Sequence, residues 1–331
     1  MVWFGEANSE GKSTRYFRFV DLASMKILFL GTPDSAVPIL EKLITTQHQV
    51  VGVITQPARK SGRGLDLKDS AVSEFAKQKG LKVFSPEKID REYFAQNLKS
   101  LDADMAIVVA FGQILRKEVL AELKFGWINI HYSLLPKFRG AAPVQRAILQ
   151  GERETGISFF AIEEGLDTGP IIKSYPYQLS DSATTDSVLQ ELNVLATQKI
   201  EDIITGIENG SFEPVKQSGE VSTAPKINEM DLRIDWNDLS SEISRRVRAG
   251  SKRLNAWTII GESKIKILSI SENSLEDQIA HGQIKVVNKF VNVGCKSGSL
   301  IINEVIPEGK KQMDAISWIN GFQDKSDLKF S

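Results

Sequence analysis

From Met25 onward, short runs of consecutive β-branched and other apolar residues alternate with longer stretches whose apolar positions recur every three or four residues. The runs are KILFLG, VVGVIT, KVF, MAIVVA and WINIH (Trp127–His131), and residues 34–46, 70–79, 93–99 and 115–123 carry helical spacing. A run that is apolar at every position belongs to a strand buried on both faces, as in a parallel sheet covered by helices. The pattern therefore predicts an α/β fold with a Rossmann-like, doubly wound, mostly parallel sheet. A helix over 143–149, the strand GISFFAIEE, the turn GLDTG, a polar strand over 171–179 and a long helix over 184–208 complete a first domain, 25–208.

Beyond it the pattern changes. Residues 209–230 carry Gly210, Pro214, Gly219 and Pro225 among polar residues, which is linker composition. Residues 231–331 hold one helical stretch, 239–248, and then the short strands WTII, KIKILSI, IKVVN, FVNVG and SLIINEVI. Evenly spaced short strands separated by turns predict a small OB-like β-barrel. The first 24 residues have no continuous apolar stretch and mix Glu6, Glu10 and Asp21 with Lys12, Arg15 and Arg18. That mixture argues against a secretory signal or an acid-poor transit peptide, so 1–24 is expected to be a poorly ordered extension.

Composition narrows the function. The chain has 331 residues, 41% of them apolar, enough for two domains with ordinary cores. Lys and Arg total 41 against 42 Asp and Glu, so any site for a polyanion must be local. Cys295 is the single cysteine, which excludes an intrachain disulfide and points to a reducing, cytoplasmic setting. His48, His131 and His281 are far apart and lack zinc spacing, so no metal is expected. No apolar run approaches the roughly 20 residues that span a bilayer, so neither is a membrane partner.

Chemistry concentrates at the end of the WINIH strand. Asn129 and His131 are two apart and share a face, at the carboxyl edge where sheets of this kind bind ligands. Loop capping would account for the one and a satisfied structural histidine for the other. Yet burying two unpaired polar groups beside Trp127, Ile128 and Ile130 would cost roughly 1–3 kcal/mol each. Asp167 lies in Gly165-Leu166-Asp167-Thr168-Gly169, where it makes either an ordinary Asx turn or the third member of an acid/base set. The loop Ser133-Leu134-Leu135-Pro136 offers backbone and apolar side chains suited to a planar heterocycle. The first βα turn, Gly31-Thr32-Pro33-Asp34, lacks the further glycines of a dinucleotide fingerprint, and Pro33 removes an amide donor, so NAD is not expected. Two local basic clusters stand out: Arg59, Lys60 and Arg63 in the loop 56–66, and Arg245, Arg246, Arg248, Lys252 and Arg253 at the start of the second domain. Lys310 and Lys311 add a smaller one. A charge run of this kind is a solvated face or a phosphate track.

The string Asn129-Ile130-His131-Tyr132-Ser133-Leu134-Leu135-Pro136, then Phe138-Arg139-Gly140, then Asp167, resembles the signature of folate-dependent formyltransferases. GTPDSAVPILEKL, VITQPARKSGRG, AFGQIL, TAPKI, IDW and PEGKKQMDAISWINGF extend the likeness from about Met25 to Phe322 and resemble the methionyl-tRNA formyltransferase family. The resemblance implies that Asn129, His131 and Asp167 are catalytic, and that Ser133, Leu134, Leu135 and Pro136 with Phe111 and Gly112 bind the formylfolate. It implies direct transfer from 10-formyltetrahydrofolate to initiator methionyl-tRNA, and a monomer is expected. Asn129 and His131 would then donate to the oxyanion, while Asp167 would accept the amine proton, directly or through water, and orient His131. The loop around Arg63 would enter the acceptor stem, with the barrel as a second tRNA-binding unit. Two stretches depart from the family pattern, Leu65-Asp66-Leu67-Lys68-Asp69-Ser70 with its two acids and Gly250-Ser251-Lys252-Arg253-Leu254-Asn255-Ala256-Trp257. The competing readings are a formyltransferase acting on a small amine, such as an amino sugar or glycinamide ribonucleotide, and a non-catalytic RNA-binding protein.

Overall fold

The structure, a computed structural model, describes residues 24–61, 66–252, 254–272, 279–325 and 327–331. Apart from Ser24, the amino-terminal extension lies outside the described residues, as do Arg63 and Arg253.

The first domain is built on strands β1 (Lys26–Gly31), β2 (Gln49–Ile54), β5 (Val83–Phe84), β6 (Met105–Val109), β7 (Trp127–His131), β8 (Glu154–Ala161) and β9 (Ile171–Gln178). They form one sheet in the order β5-β2-β1-β6-β7-β8-β9, parallel from β5 to β7 and antiparallel at β8 and β9. Strand β1 shows why its sequence is apolar throughout. Ile27 and Phe29 face one core, shared with the helices α1 (Val37–Leu43), α2 (Ala71–Gln78) and α6 (Thr185–Glu208). Leu28 and Leu30 face the other, covered by residues 89–123 with the short helices α3 (Arg91–Tyr93) and α4 (Lys117–Leu120). Each such side chain, removed completely from water, contributes about 1.5–3 kcal/mol. The strand order reverses between β1 and β6, and a crevice outside the carboxyl ends of such strands is the usual place for a ligand.

Three elements differ from the sequence reading. Part of the basic loop forms a two-stranded hairpin, β3 (Arg59–Ser61) with β4 (Asp66–Lys68), in which Arg59 pairs with Lys68. The helix expected over 93–99 is broken into short turns of different pitch, and the one over 115–123 shrinks to four residues. Neither stretch has the length to bury a continuous helical stripe, so packing overrides local spacing.

In the second domain, helix α7 (Ser240–Ala249) precedes β10 (Ala256–Ile260), β11 (Ser263–Glu272), β12 (Ile284–Val287), β13 (Phe290–Cys295) and β14 (Gly298–Pro307). These are antiparallel in the order β10-β11-β14-β13-β12, with β15 (Met313–Asp314) pairing beside β14 and helix α8 (Ala315–Ile319) following it. The carboxyl-terminal residues join the two edges: Phe330 bridges to Ile260 and Lys329 to Gln283. Phe330 is held between Trp236 and Trp318, with ring centroids 5.2 and 5.8 Å away. That closure gives the barrel character expected from the strand spacing. Helix α5 (Pro143–Gln150) packs on α7 and ties the domains together.

Candidate active site

Residues 127, 129 and 131 of β7 project to one face, and Trp127 on that face is buried under the 89–123 segment. Asn129 is half-buried and its side-chain amide makes no hydrogen bond to any described residue. His131 is 5% exposed. Its Nε2 lies 2.8 Å from the carbonyl oxygen of Phe138, an acceptor only, so Nε2 carries a proton and donates it there. Nδ1 faces Oδ2 of Asp167 at 3.6 Å, beyond a direct hydrogen bond. Burial pushes the His131 pKa down, while the Asp167 charge and the Phe138 carbonyl pull the other way. The neutral ring therefore offers the Nδ1 lone pair to a proton arriving beside the carboxylate.

The expected oxyanion donor thus starts as an acceptor. Only after Nδ1 takes a proton can His131 donate from that side. The tautomer, set by a backbone carbonyl seven residues away, carried no mark in the residue types.

Asp167 is held from two directions. Its Oδ2 accepts the Gly140 backbone N–H at 2.8 Å. Its backbone sits at φ +53° in a turn pressed on β8, where a Cβ at Gly169 would lie 1.8 Å from the Ala161 carbonyl oxygen. Gly140 is equally constrained, at φ +126° with a Cβ position 2.6 Å from the Ala224 carbonyl oxygen. Only glycine allows these two close approaches.

The walls of the crevice come from two turns. At the end of β6, the Phe111 carbonyl accepts from Thr32 Oγ1 at 3.0 Å and from Gln56 Nε2 at 3.1 Å, and exposed Gly112 follows at φ +82°. This turn is pinned to the ends of β1 and β2, directly at the strand-order reversal. The other wall is the loop after β7. There Ser133 Oγ donates to the Lys137 carbonyl at 2.6 Å, while Ser158 Oγ donates to the Ser133 carbonyl at 2.7 Å and accepts from Leu135 N at 3.1 Å. The Ser133 hydroxyl is thus committed inside the loop, and Leu135 and Pro136 are buried. Leu134 packs over Gly156, where a Cβ would come within 2.7 Å of it.

The basic clusters divide. Arg59 is exposed and donates to Gln56 Oε1 at 3.1 Å, and Lys60 pairs across the hairpin with Leu67. Lys252, Lys310 and Lys311 are exposed. Arg246, by contrast, is ion-paired with Asp238, and Arg248 donates to the Ala183 carbonyl at 2.9 Å. Burial lowers the Arg248 pKa, with Arg245 adding repulsion. The guanidinium of Arg245 packs on Gly151, and its buried Nε has no hydrogen-bond partner among the described residues. Arg245 and Arg248 are thus engaged between the domains, and Arg246 is paired within the second.

No helix among the described residues is long and apolar enough to cross a membrane, and none of them form a His/Cys/Asp/Glu group able to hold a metal. Cys295 lies in the barrel core, where burial pushes its thiol pKa up and away from nucleophilic use.

The doubly wound sheet with polar side chains at its carboxyl edge is the framework of an α/β enzyme, and the match to known families shows which group of enzymes the chain belongs to. The chain belongs to the formyl transferase family: residues 25–203 match the formyl transferase model, and residues 226–323 match the formyl transferase C-terminal domain. It is similar to a methionyl-tRNA formyltransferase of Corynebacterium glutamicum (strain R), 38% identical over 314 residues that cover 92% of this chain and all of that one. A methionyl-tRNA formyltransferase of Thermodesulfovibrio yellowstonii is 39% identical over 298 residues, 90% of this chain and 96% of that one. In fold it is similar to an N-formyltransferase from Helicobacter canadensis solved with folinic acid and dTDP-3-aminofucose. That structure has a TM-score of 0.61 and 24% identity, over 84% of this chain and 98% of that one.

Proposed function

We propose that this protein transfers the formyl group of 10-formyltetrahydrofolate to the α-amine of initiator methionyl-tRNA, acting as a monomer in the cytoplasm. The reading is carried by one observation. A neutral imidazole, His131, faces the Asp167 carboxylate at the carboxyl edge of the sheet in a formyl transferase chain, with half-buried Asn129 two residues back on the same strand face.

The amine nitrogen attacks the formyl carbon and the carbonyl oxygen gains negative charge. Asn129 donates to that oxygen, since its amide has no described partner to give up; one such donor is worth about 3–4 kcal/mol. Nδ1 of His131 takes the proton released by the amine, and the Asp167 carboxylate stabilises the imidazolium that results. The bond from the formyl carbon to N10 of the folate then breaks and N10 recovers the proton, leaving N-formylmethionyl-tRNA and tetrahydrofolate. No acyl-enzyme is required, because the Ser133 hydroxyl is already donated to Lys137 and Cys295 belongs to the other domain.

The folate would be held between the Phe111-Gly112 turn and the 133–136 loop. Ser133, Leu135 and Pro136 would act by shaping the loop backbone and Leu134 by apolar contact. Arg59, Lys60 and Arg63 would meet acceptor-stem phosphates. Of the second cluster, exposed Lys252 would join them, with Arg245 and Arg248 holding the second domain against the first.

The test supplies 10-formyltetrahydrofolate with charged initiator tRNA, charged elongator tRNA, an amino sugar and glycinamide ribonucleotide. Transfer to the initiator species alone supports the proposal. Transfer only to a small amine would replace it, and tRNA binding without turnover would favour a non-catalytic role.

A further inference from the structure

Gln217 lies in the segment between the domains, where composition alone reads as a tether. Its side-chain amide is fully used. Nε2 donates to the carbonyls of Asp167 and Gly169, each at 2.8 Å, and Oε1 accepts from Nε and Nη2 of Arg139 at 3.1 and 2.6 Å. An amide has two N–H donors and two lone pairs, and here all four are committed.

Those four bonds join the two chain segments that flank the His131–Asp167 pair. On one side of Arg139, Phe138 supplies the carbonyl that fixes the His131 tautomer; on the other, Gly140 donates to the Asp167 carboxylate. The same inter-domain segment adds Ser222, whose Oγ accepts from Phe138 N at 2.9 Å, and a backbone bridge between Thr223 and Arg139. Beyond the contact of Gly169 with β8, the tip of the turn has little packing of its own: Leu166 is 65% exposed and Thr168 is exposed.

We infer that Gln217 is a positioning residue for formyl transfer, setting the Asp167 carboxylate and the Phe138 carbonyl against the two nitrogens of His131. The segment 217–224 is then a structural part of the active site. The inference rests on the formyl-transfer reading above and adds a residue to it.

Two substitutions in the full-length protein separate the arms of the clamp. Gln217→Ala removes both. Gln217→Glu keeps an acceptor for Arg139 but turns negative oxygen toward two carbonyls, so it loses the turn while retaining the anchor. Both variants are expected to lower kcat by about tenfold or more, the scale of a small misplacement of a reacting group, with KM for folate and for amine within about threefold of wild type. Amide hydrogen exchange across 165–169 should quicken in both. If Gln217→Ala does not fold, Gln217→Glu decides alone.

A kcat within about twofold of wild type in either folded variant would overturn the inference, and so would unchanged exchange at 165–169. If the wild type formylates a different amine, the tRNA reading fails and the same comparison is made on that amine. Hydrogen exchange needs no substrate and judges Gln217 separately.

Discussion

Replacing Asp167 with asparagine removes one charge and little else. Asparagine tolerates the left-handed backbone at φ +53°, and its carbonyl oxygen can still accept the Gly140 N–H. What is lost is the carboxylate 3.6 Å from Nδ1 of His131. At that separation, with an effective dielectric constant of about 20, a full imidazolium and carboxylate attract by about 5 kcal/mol, an upper bound on the support given to the protonated ring. Losing a substantial part of it from the proton-transfer step should lower kcat by about 10²–10⁴-fold. The pH profile gives an independent sign. The Asp167 charge raises the His131 pKa against the lowering by burial, so its removal makes the ring harder to protonate. The acid limb of kcat should therefore move to lower pH in Asp167→Asn, although the maximal rate falls. The assay is transfer from 10-formyltetrahydrofolate to charged initiator tRNA at saturating substrate, from about pH 5 to about pH 8, with tRNA affinity measured alongside and expected to stay near wild type. A kcat within about threefold of wild type, or an acid limb that stays put or moves up, would refute the reasoning.

Asn129→Ala should lower the single-turnover rate by about 10²–10³-fold and leave the Tm close to wild type, because the amide has no described partner to abandon; a large fall in Tm would assign it a structural role instead. His131 and His48 both have pKa values lowered chiefly by burial. The unfolded chain, with histidines near the ordinary value of about 6.5, therefore binds more protons below that pH. Their contribution to stability is complete above about pH 6.5 and is lost as pH falls through the folded-state values, so the urea midpoint should rise from about pH 5 to about pH 7 and then level, and a flat or falling midpoint would contradict this. Arg59→Ala should weaken tRNA binding and reduce the slope of log K against log salt by about 1, whereas an unchanged slope would remove Arg59 from the phosphate contacts.

Much of this site is legible without coordinates because its chemistry is local in sequence. Asn129 and His131 share one face of an otherwise apolar strand, where two polar residues stand out, and the paired glycines around Asp167 mark a turn that must approach something closely. The alternation of apolar runs and helical stretches gives the sheet for the same reason, since β1 is apolar on both faces because both faces are covered. What stayed hidden depends on contacts distant in the chain. Gln217 bonds to Asp167 and Gly169 from about fifty residues away, and a glutamine among prolines and glycines looks like solvent-exposed tether. The arginines of α7 read as either a solvated face or a phosphate track, because spacing shows a charged run but not its partners, Asp238 and Ala183. Gln56 and Thr32 hold the Phe111 turn through a carbonyl, and a main-chain acceptor has no signature in residue type.

The most direct measurement is a single turnover with isotope-labelled formyl donor and charged initiator tRNA, in which the aminoacyl end and the protein are each examined for label by mass spectrometry. The site described above should place the label on the methionyl α-amine, with none on the protein at any time and none transferred by His131→Ala. Label retained on the protein before it reaches the amine, or undiminished transfer by His131→Ala, would contradict it.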